Sequence, residues 1–416
     1  MYIYLISYIF VKYTIDLFTK KISISNYPLI LKRLLLLIKI LYHNKIVKIN
    51  GKYKFQLYLP AFPTKAFFHS LEKFNPNNKE PGPITVVFSM TKACSYKCPH
   101  CYQNKDDGKE LDLELLKQTA RDMQDIGVSM FDIEGGEPLI RFKRLIELLK
   151  AFDNRAELWV NTTGYSLTKE KAIKMREAGV FGVMISLHSP NPTEYDKFTR
   201  IEGSFEIALK AMKIFQEVGI TTVVNCCPSL KDVENNNLQK TFDLAKNNNC
   251  SFVQVIHGKS AGGWLDKKDK MIKSKNLISK LQYYHMNYNN KATYNSYPSI
   301  SAQVFEESPQ HLGCTAGGVD RFYLNHEGEV QPCEFLNVSF GNVNEEPFKV
   351  IFKRMRKYFK KPGVKWLCCT EAHSINKIYQ DNKLQKTPLP KANTIDLVKS
   401  WDKGTETKLY RDLGIY

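Results

Sequence analysis

Acidic side chains are nearly missing from the first fifth of this 416-residue chain. Residues 1–80 hold 3 Asp/Glu against 13 Lys/Arg, a local net charge of +10 out of a formal +18 for the whole sequence. The expectation is a solvated basic helical extension packed on a core. The sharper alternatives are a membrane-surface contact or a cradle for an acidic peptide. A long apolar run is missing too. Residues 2–11 are almost continuously apolar, but the stretch is too short to span a bilayer and Lys12 ends it. No basic segment precedes it, which argues against a secretory signal. No nucleic-acid-binding module accompanies the charge, so no nucleic acid is expected as a partner. Low-complexity tracts and short tandem repeats are absent, which excludes a repeat array. Residues 29–42 are apolar with Lys32, Arg33 and Lys39 interspersed, the pattern of an amphipathic helix.

The ten cysteines do not form a secreted disulfide framework. They cluster as ligands would, which suits a reducing cytoplasm, with attachment to the periphery of a membrane as the variant that the basic amino end suggests. Cys94, Cys98 and Cys101 stand in T-K-A-C-S-Y-K-C-P-H-C-Y, a C-x3-C-x2-C spacing. Three thiolates this close converge on one soft metal centre. A cuboidal iron–sulfur cluster held by three of them keeps one iron open to a small molecule. A structural zinc would want a fourth protein ligand nearby.

Asn75 to Pro83 (N-P-N-N-K-E-P-G-P) reads as a linker. Beyond it, strand and helix alternate. Strands are expected at 84–90, 130–134, 157–161, 181–187, 221–226 and 251–256, with helices near 111–126, 141–152, 168–178, 205–218 and 234–247. This alternation predicts an α/β fold, a partial (β/α)6 barrel with right-handed crossovers. The expected organisation is a basic, partly amphipathic amino-terminal extension over 1–82, the core over 83–258, an auxiliary region over 259–383 and a polar tail over 384–416. Within the auxiliary region a basic helix is expected over 266–290, a hairpin around Asn325–Gly328, and a helix over 345–359.

In a parallel sheet, ligands bind at the carboxyl ends of the strands. The three cysteines follow the first strand, Gly135-Gly136-Glu137-Pro138 the second and Asn161-Thr162-Thr163-Gly164 the third, while Ser186 ends the fourth. All reach one rim. The paired glycines let the backbone approach closely, and their carbonyls and Glu137 can accept from an ammonium group. Ser186 offers a hydroxyl to ribose oxygens, and Arg200 can pair with a carboxylate. The plainer readings are a strand-to-helix turn at 135–138, a local backbone bond at Ser186 and a surface charge at Arg200.

C-x3-C-x2-C-Tyr, G-G-E-P some 34 residues on, and I-S-L-H at a fourth strand together resemble the core of the radical S-adenosylmethionine (SAM) superfamily over residues 84–257. The resemblance implies that Cys94, Cys98 and Cys101 bind a [4Fe–4S] cluster whose open iron chelates SAM. Gly135, Gly136 and Glu137 match the loop holding the methionine amino group, Ser186 faces ribose, and the backbone at Tyr102 lies near adenine. Asn161 joins this cofactor-binding set. The implied mechanism is reductive cleavage of SAM to a 5′-deoxyadenosyl radical, which removes a hydrogen atom from a substrate. A reductant such as ferredoxin or flavodoxin is the implied partner.

Cys314 and Cys333 flank Gly328 as C-x13-G-x4-C and are followed by Cys368 and Cys369. The run resembles the SPASM and twitch extensions of radical SAM enzymes, which implies a second, auxiliary iron–sulfur cluster on these four cysteines. Adjacent cysteines make awkward joint ligands, so its fourth ligand stays open. Cys226, Cys227 and Cys250 are expected in the core, and His188 and His257 as hydrogen-bonded structural residues. The function expected first is an oxidative or crosslinking modification of a peptide or small molecule, with the auxiliary cluster as electron acceptor. Cofactor or tetrapyrrole biosynthesis is the alternative within the class. A non-catalytic metal-binding protein is the alternative outside it.

Overall fold

The structure, a computed structural model, describes residues 2–106, 108–265, 267–271 and 274–416. A small hairpin, β1 (Val47–Ile49) and β2 (Lys52–Lys54), precedes the main sheet. Nine further strands build that sheet: β3 (Thr85–Ser89), β4 (Met130–Glu134), β5 (Glu157–Thr162), β6 (Val180–Ser186), β7 (Thr221–Cys226), β8 (Phe252–Val255), β9 (Ser299–Ala302), β10 (Arg321–Leu324) and β11 (Val330–Gln331). Their order is β11-β10-β3-β4-β5-β6-β7-β8-β9. Every pair from β10 to β9 is parallel, and β11 returns antiparallel on β10. The chain is an α/β protein, and β3 to β8 are the six repeats of a partial barrel.

The strands form where β-branched and aromatic residues run together, as in TVVFS, ELWVNT and TTVVNC. Their period of two sorts the side chains. Val86, Phe88, Phe131, Ile133, Leu158, Val160, Val183, Ile185 and Val224 join the helices in the large outer core. The alternate positions point inward in two tiers. Met130, Trp159, Met184, Val223 and Phe252 fill the lower barrel with Leu57. Glu134, Asn161, Ser186 and Asn225 occupy the upper tier and stay polar.

The lower mouth is closed by the segment around β2. Lys54 is fully buried and its Nζ lies 2.6 Å from Glu157 Oε1. Glu157 also accepts from Ala61 N at 2.6 Å and from Trp159 Nε1 at 2.8 Å. Ahead of this plug, helices α1 (Tyr2–Phe18) and α2 (Tyr27–Leu41) pack through Leu5, Ile9, Tyr13, Ile30, Leu34 and Ile38 on Phe55, Phe62 and Phe67.

Several features beyond residue 260 differ from the sequence expectation. The expected helix at 266–290 is Lys275–Asn290, and Asp266 lies outside the described residues. The four-residue strand β9 adds a parallel edge to β8, and its sequence, S-I-S-A, carries too little hydrophobic pattern to announce itself. The expected hairpin is present, but β10 also pairs in parallel with β3, Arg321–Leu324 against Thr85–Phe88. The sheet therefore continues across the expected boundary at 258. The tail is not merely polar: helices Lys391–Lys399 and Lys408–Leu413 form in it, and Leu409, Tyr410 and Leu413 are buried in the amino-terminal cluster.

Candidate functional site

At the carboxyl ends of the strands lies a cavity of about 450 Å³. Cys94, Cys98, Cys101, Tyr102, Gly135, Gly136, Asn161, Ser186 and Arg200, all singled out from the sequence, line it together. Burial, with the charges of neighbouring thiols as a lesser cause, pushes the Cys98 and Cys101 thiols up to about 12. They are therefore protonated until a metal displaces the proton. Among the described residues, no three His, Cys, Asp or Glu side chains form a ready-made single-ion site.

The glycine pair has a definite packing role. A Cβ on Gly135 would meet Thr91 O at 2.5 Å, and one on Gly136 would meet the carbonyls of Lys92 and Ala93 at 2.4 Å. Gly136 N and Glu137 N donate to Thr91 O and Ala93 O, each at 2.7 Å. The loop after β4 is thereby clamped to the segment that enters the cysteine loop. Glu137, expected from the sequence to accept from a bound ammonium, is engaged within the protein. Its Oε1 accepts from Thr162 Oγ1 at 2.6 Å and Leu139 N at 3.0 Å, and its Oε2 from Thr163 N and Oγ1 at 2.7 and 2.6 Å. With both oxygens doubly engaged and the side chain fully buried, it ties the ends of β4 and β5 together.

Arg200 adopts a left-handed conformation (φ 60°) at the end of helix Pro192–Thr199, with its side chain on the cavity. The neighbouring Thr199 O accepts from Lys97 N inside the cysteine loop. A second glycine pair, Gly262-Gly263, supports that loop from the other side. Gly263 N donates to Cys101 O at 3.0 Å, and a Cβ on Gly262 would collide with Tyr102 Cα at 2.3 Å. The sequence reading passed over this pair, although a buried G-G dipeptide is a signal of close backbone approach.

Glu134 was missed as well. It is an inward position of β4, and its carboxylate accepts from the Tyr102 hydroxyl and from Asn161 Nδ2 at 3.4 Å. Burial, with Glu334 nearby, holds it well above the usual carboxylate range. Asn161 Oδ1 and Gln103 Oε1 are buried without a partner at this floor. Orphaned polar atoms around an open volume fit a polar ligand such as the ribose and amino-acid portions of SAM.

A cavity of about 80 Å³ adjoins the first and shares His100, Tyr102, His188 and Asn225 with it. Cys227, expected in the core, lines this space instead, while Cys226 and Cys250 are buried in the outer core. His188 Nδ1 accepts from Cys227 N at 3.1 Å. At the far side stands Lys259, 5% exposed, 2.9 Å from His257 Nε2. Burial would lower its pKa, but Cys368, Cys369, Glu307 and Cys333 outweigh it and raise the value, so the ammonium stays charged. Burial and the Lys259 charge pull His257 down to about 4, leaving it neutral.

Cys314, Cys333 and Cys368 line one further small cavity with Arg321 and Trp366. Cys369 lies beside Cys368 and faces His257 and Lys259; the proton it shares with Cys368 and the nearby Lys259 charge lower its pKa. The adjacent thiols stay in hydrogen-bond contact with each other, Cys368 on the cavity it lines with Cys314 and Cys333, and Cys369 also bonded to His257. Glu334 Oε2 accepts from Cys333 Sγ at 3.2 Å.

Comparison with known proteins matches these two regions separately. The Radical SAM superfamily description matches residues 88–245, and the SPASM iron-sulfur cluster-binding domain matches residues 314–370. An AdoMet-dependent heme synthase of Nitratidesulfovibrio vulgaris is 24% identical over 324 residues, covering 71% of this chain and 84% of the relative. An Fe-coproporphyrin III synthase of Methanosarcina barkeri is 26% identical over 303 residues, covering 66% and 74%. Among solved structures, Streptococcus suis SuiB bound to precursor peptide SuiA shares the fold with a TM-score of 0.54 at 19% identity, over 69% of this chain and 68% of that one. A [4Fe–4S] cluster, SAM and an additional iron–sulfur cluster are the cofactors that go with the two matched domains. With the cysteine loop, the glycine loop and the second cysteine group all falling inside the matched segments, the chain belongs to the radical SAM superfamily, as an enzyme with an SPASM domain.

Proposed function

We propose that this enzyme cleaves SAM in the larger cavity and abstracts hydrogen from a carboxylate-bearing substrate seated in the smaller one. The observation that carries the reading is Lys259. It is a buried ammonium on a cavity that shares four lining residues with the SAM site, and it interacts electrostatically with Cys368 and Cys369. When bound, the clusters and SAM supply a 5′-deoxyadenosyl radical and a sink for the electron left on the substrate.

The chain's own residues do the rest. Cys94, Cys98 and Cys101 hold the first cluster, and the backbone of Gly135 and Gly136 receives the methionine portion. Arg200 pairs with its carboxylate, and Ser186 and Asn161 orient the ribose. Tyr102, Trp264 and Phe335 wall the smaller cavity and exclude water, while Lys259, fixed by His257, holds the substrate carboxylate. Cys314, Cys333 and Cys368 hold the auxiliary cluster, with Cys369 the remaining thiol. A small reduced electron carrier, ferredoxin or flavodoxin, supplies the first electron.

Likeness over 71% and 66% of the chain to heme and Fe-coproporphyrin synthases favours a tetrapyrrole carboxylate. The shared fold with a peptide-bound enzyme supports the second reading, an acidic peptide. The experiment is 5′-deoxyadenosine formation by anaerobically reconstituted protein, with iron coproporphyrin III or an acidic peptide as substrate. Stimulation by either, lost in Lys259→Met and retained in part in Lys259→Arg, supports the proposal. Equal stimulation of wild type and Lys259→Met removes it.

A further inference from the structure

The outward face of α1 has no charged residue. Leu5, Ile9 and Tyr13 form its buried stripe at intervals of four. Opposite them, Phe10, Ile3, Phe18, Val11 and Ile15 fall within roughly 140° of the helical wheel, at about 100° per residue. They are 51%, 80%, 81%, 55% and 55% exposed, with Ser7, Thr14 and the half-exposed Tyr4 interposed. Ile24 after the helix is 81% exposed, and Leu35 on α2 53%. Isolated exposed apolar residues are ordinary, but a contiguous face is not.

The charge carried by residues 1–71 is almost all of one sign, with Asp412 of the carboxyl-terminal helix near Lys32. Asp16 is the only acidic side chain in residues 1–71. It is already neutralised by Lys12 at 2.5 Å and Lys21 at 3.9 Å. Lys20, Lys21, Lys32 and Lys39 are exposed around the apolar strip.

We infer that α1, with the flanking lysines, docks this enzyme on the surface of an anionic lipid bilayer. The helix would lie in the interface plane, with its apolar face among the acyl chains and the lysines at the headgroups. Among the described residues, no helix is long and apolar enough to cross a membrane, so the contact is one of lying on, not spanning. A second copy of the chain is a poorer occupant, because pairing through α1 would bring two lysine fringes together. This inference is independent of the substrate reading: the face belongs to the amino-terminal layer beyond the lower mouth of the barrel, away from the strand ends that carry the cysteines.

The test is co-sedimentation of the full, cluster-reconstituted chain with vesicles of phosphatidylcholine alone or mixed with phosphatidylglycerol. The expected result is binding to the mixed vesicles, weakened by salt. Phe10→Asp/Phe18→Asp and Lys20→Glu/Lys21→Glu should each lower the partition coefficient about tenfold or more. Iron content and SAM cleavage should be unchanged. Should the apolar pair impair folding, Ile3→Asp at the open end of the helix reports the same loss. Three results overturn the inference: no sedimentation with the mixed vesicles, equal binding by wild type and variants, or a dimer by analytical ultracentrifugation that Phe18→Asp dissociates.

Discussion

Lys54 and Glu157 form a fully buried ion pair, 2.6 Å apart, that joins the amino-terminal plug to the lower end of the barrel. Both groups have further partners: Leu59 O takes a second Lys54 proton at 2.7 Å, and Ala61 N and Trp159 Nε1 donate to the carboxylate. Removing one partner strands the other charge in an apolar tier. Lys54→Met and Glu157→Leu should each cost about 3–5 kcal/mol in stability. Lys54→Met/Glu157→Leu should recover a substantial part, read from chemical denaturation as a double-mutant cycle.

Asp132 sets a pH dependence of one sign. Burial, then Glu334, raises its carboxyl from 3.8 to about 7. The folded chain thus keeps a proton that the unfolded chain releases. Its contribution is fully present below pH 3.8 and is lost as pH rises toward 7. Asp132→Asn removes that loss. Its stability advantage over wild type should be small near pH 4, grow to on the order of 2–4 kcal/mol by pH 7, and then level off. Thermal unfolding across this range checks it, and a flat difference refutes it.

Glu346 has the opposite sign. Two bonds from Arg354 and one from Lys391 at 3.2 Å, set against partial burial, hold its carboxyl down from 4.5 to about 2. Its stabilising contribution is present above pH 4.5 and is lost as pH falls toward 2. The pair is partly exposed, so Glu346→Gln should cost only about 1–2 kcal/mol at pH 7 and nothing at pH 2.

The two cysteine groups should separate by iron content. Cys98→Ala should abolish SAM cleavage and the change that SAM produces in the reduced paramagnetic spectrum. Cys333→Ala should lower iron per chain by one cluster while leaving that spectral response. Unchanged iron in Cys333→Ala would remove the second site.

The upper rim was legible because strand order and motif order coincide. Cysteines after β3, glycines after β4, Asn161 at the end of β5 and Ser186 at the end of β6 must converge wherever the strands are parallel, and the alternation of strand and helix dictates that they are. Glu137 shows where this logic stops: its type and position were read correctly, but only the three-dimensional neighbours, Thr162 and Thr163, reveal that its oxygens are already engaged. Glu134 was hidden for the converse reason, since one carboxylate in a strand reads as solvent-facing until the inward tier is known. The β10–β3 pairing and the burial of Leu409, Tyr410 and Leu413 against α2 depend on contacts hundreds of residues apart, which no local pattern encodes.

The β10–β3 pairing limits how this enzyme can diversify. Because Arg321–Leu324 is laced by backbone bonds to Thr85–Phe88, the carboxyl third is not a cassette that recombination could trade for a relative's while leaving the front half intact. A graft would have to reproduce the register along that shared edge, or the first strand of the barrel would be left with a bare flank. Change in this lineage is therefore expected to come by substitution at single positions, such as Lys259 and Phe335 on the smaller cavity, rather than by wholesale exchange.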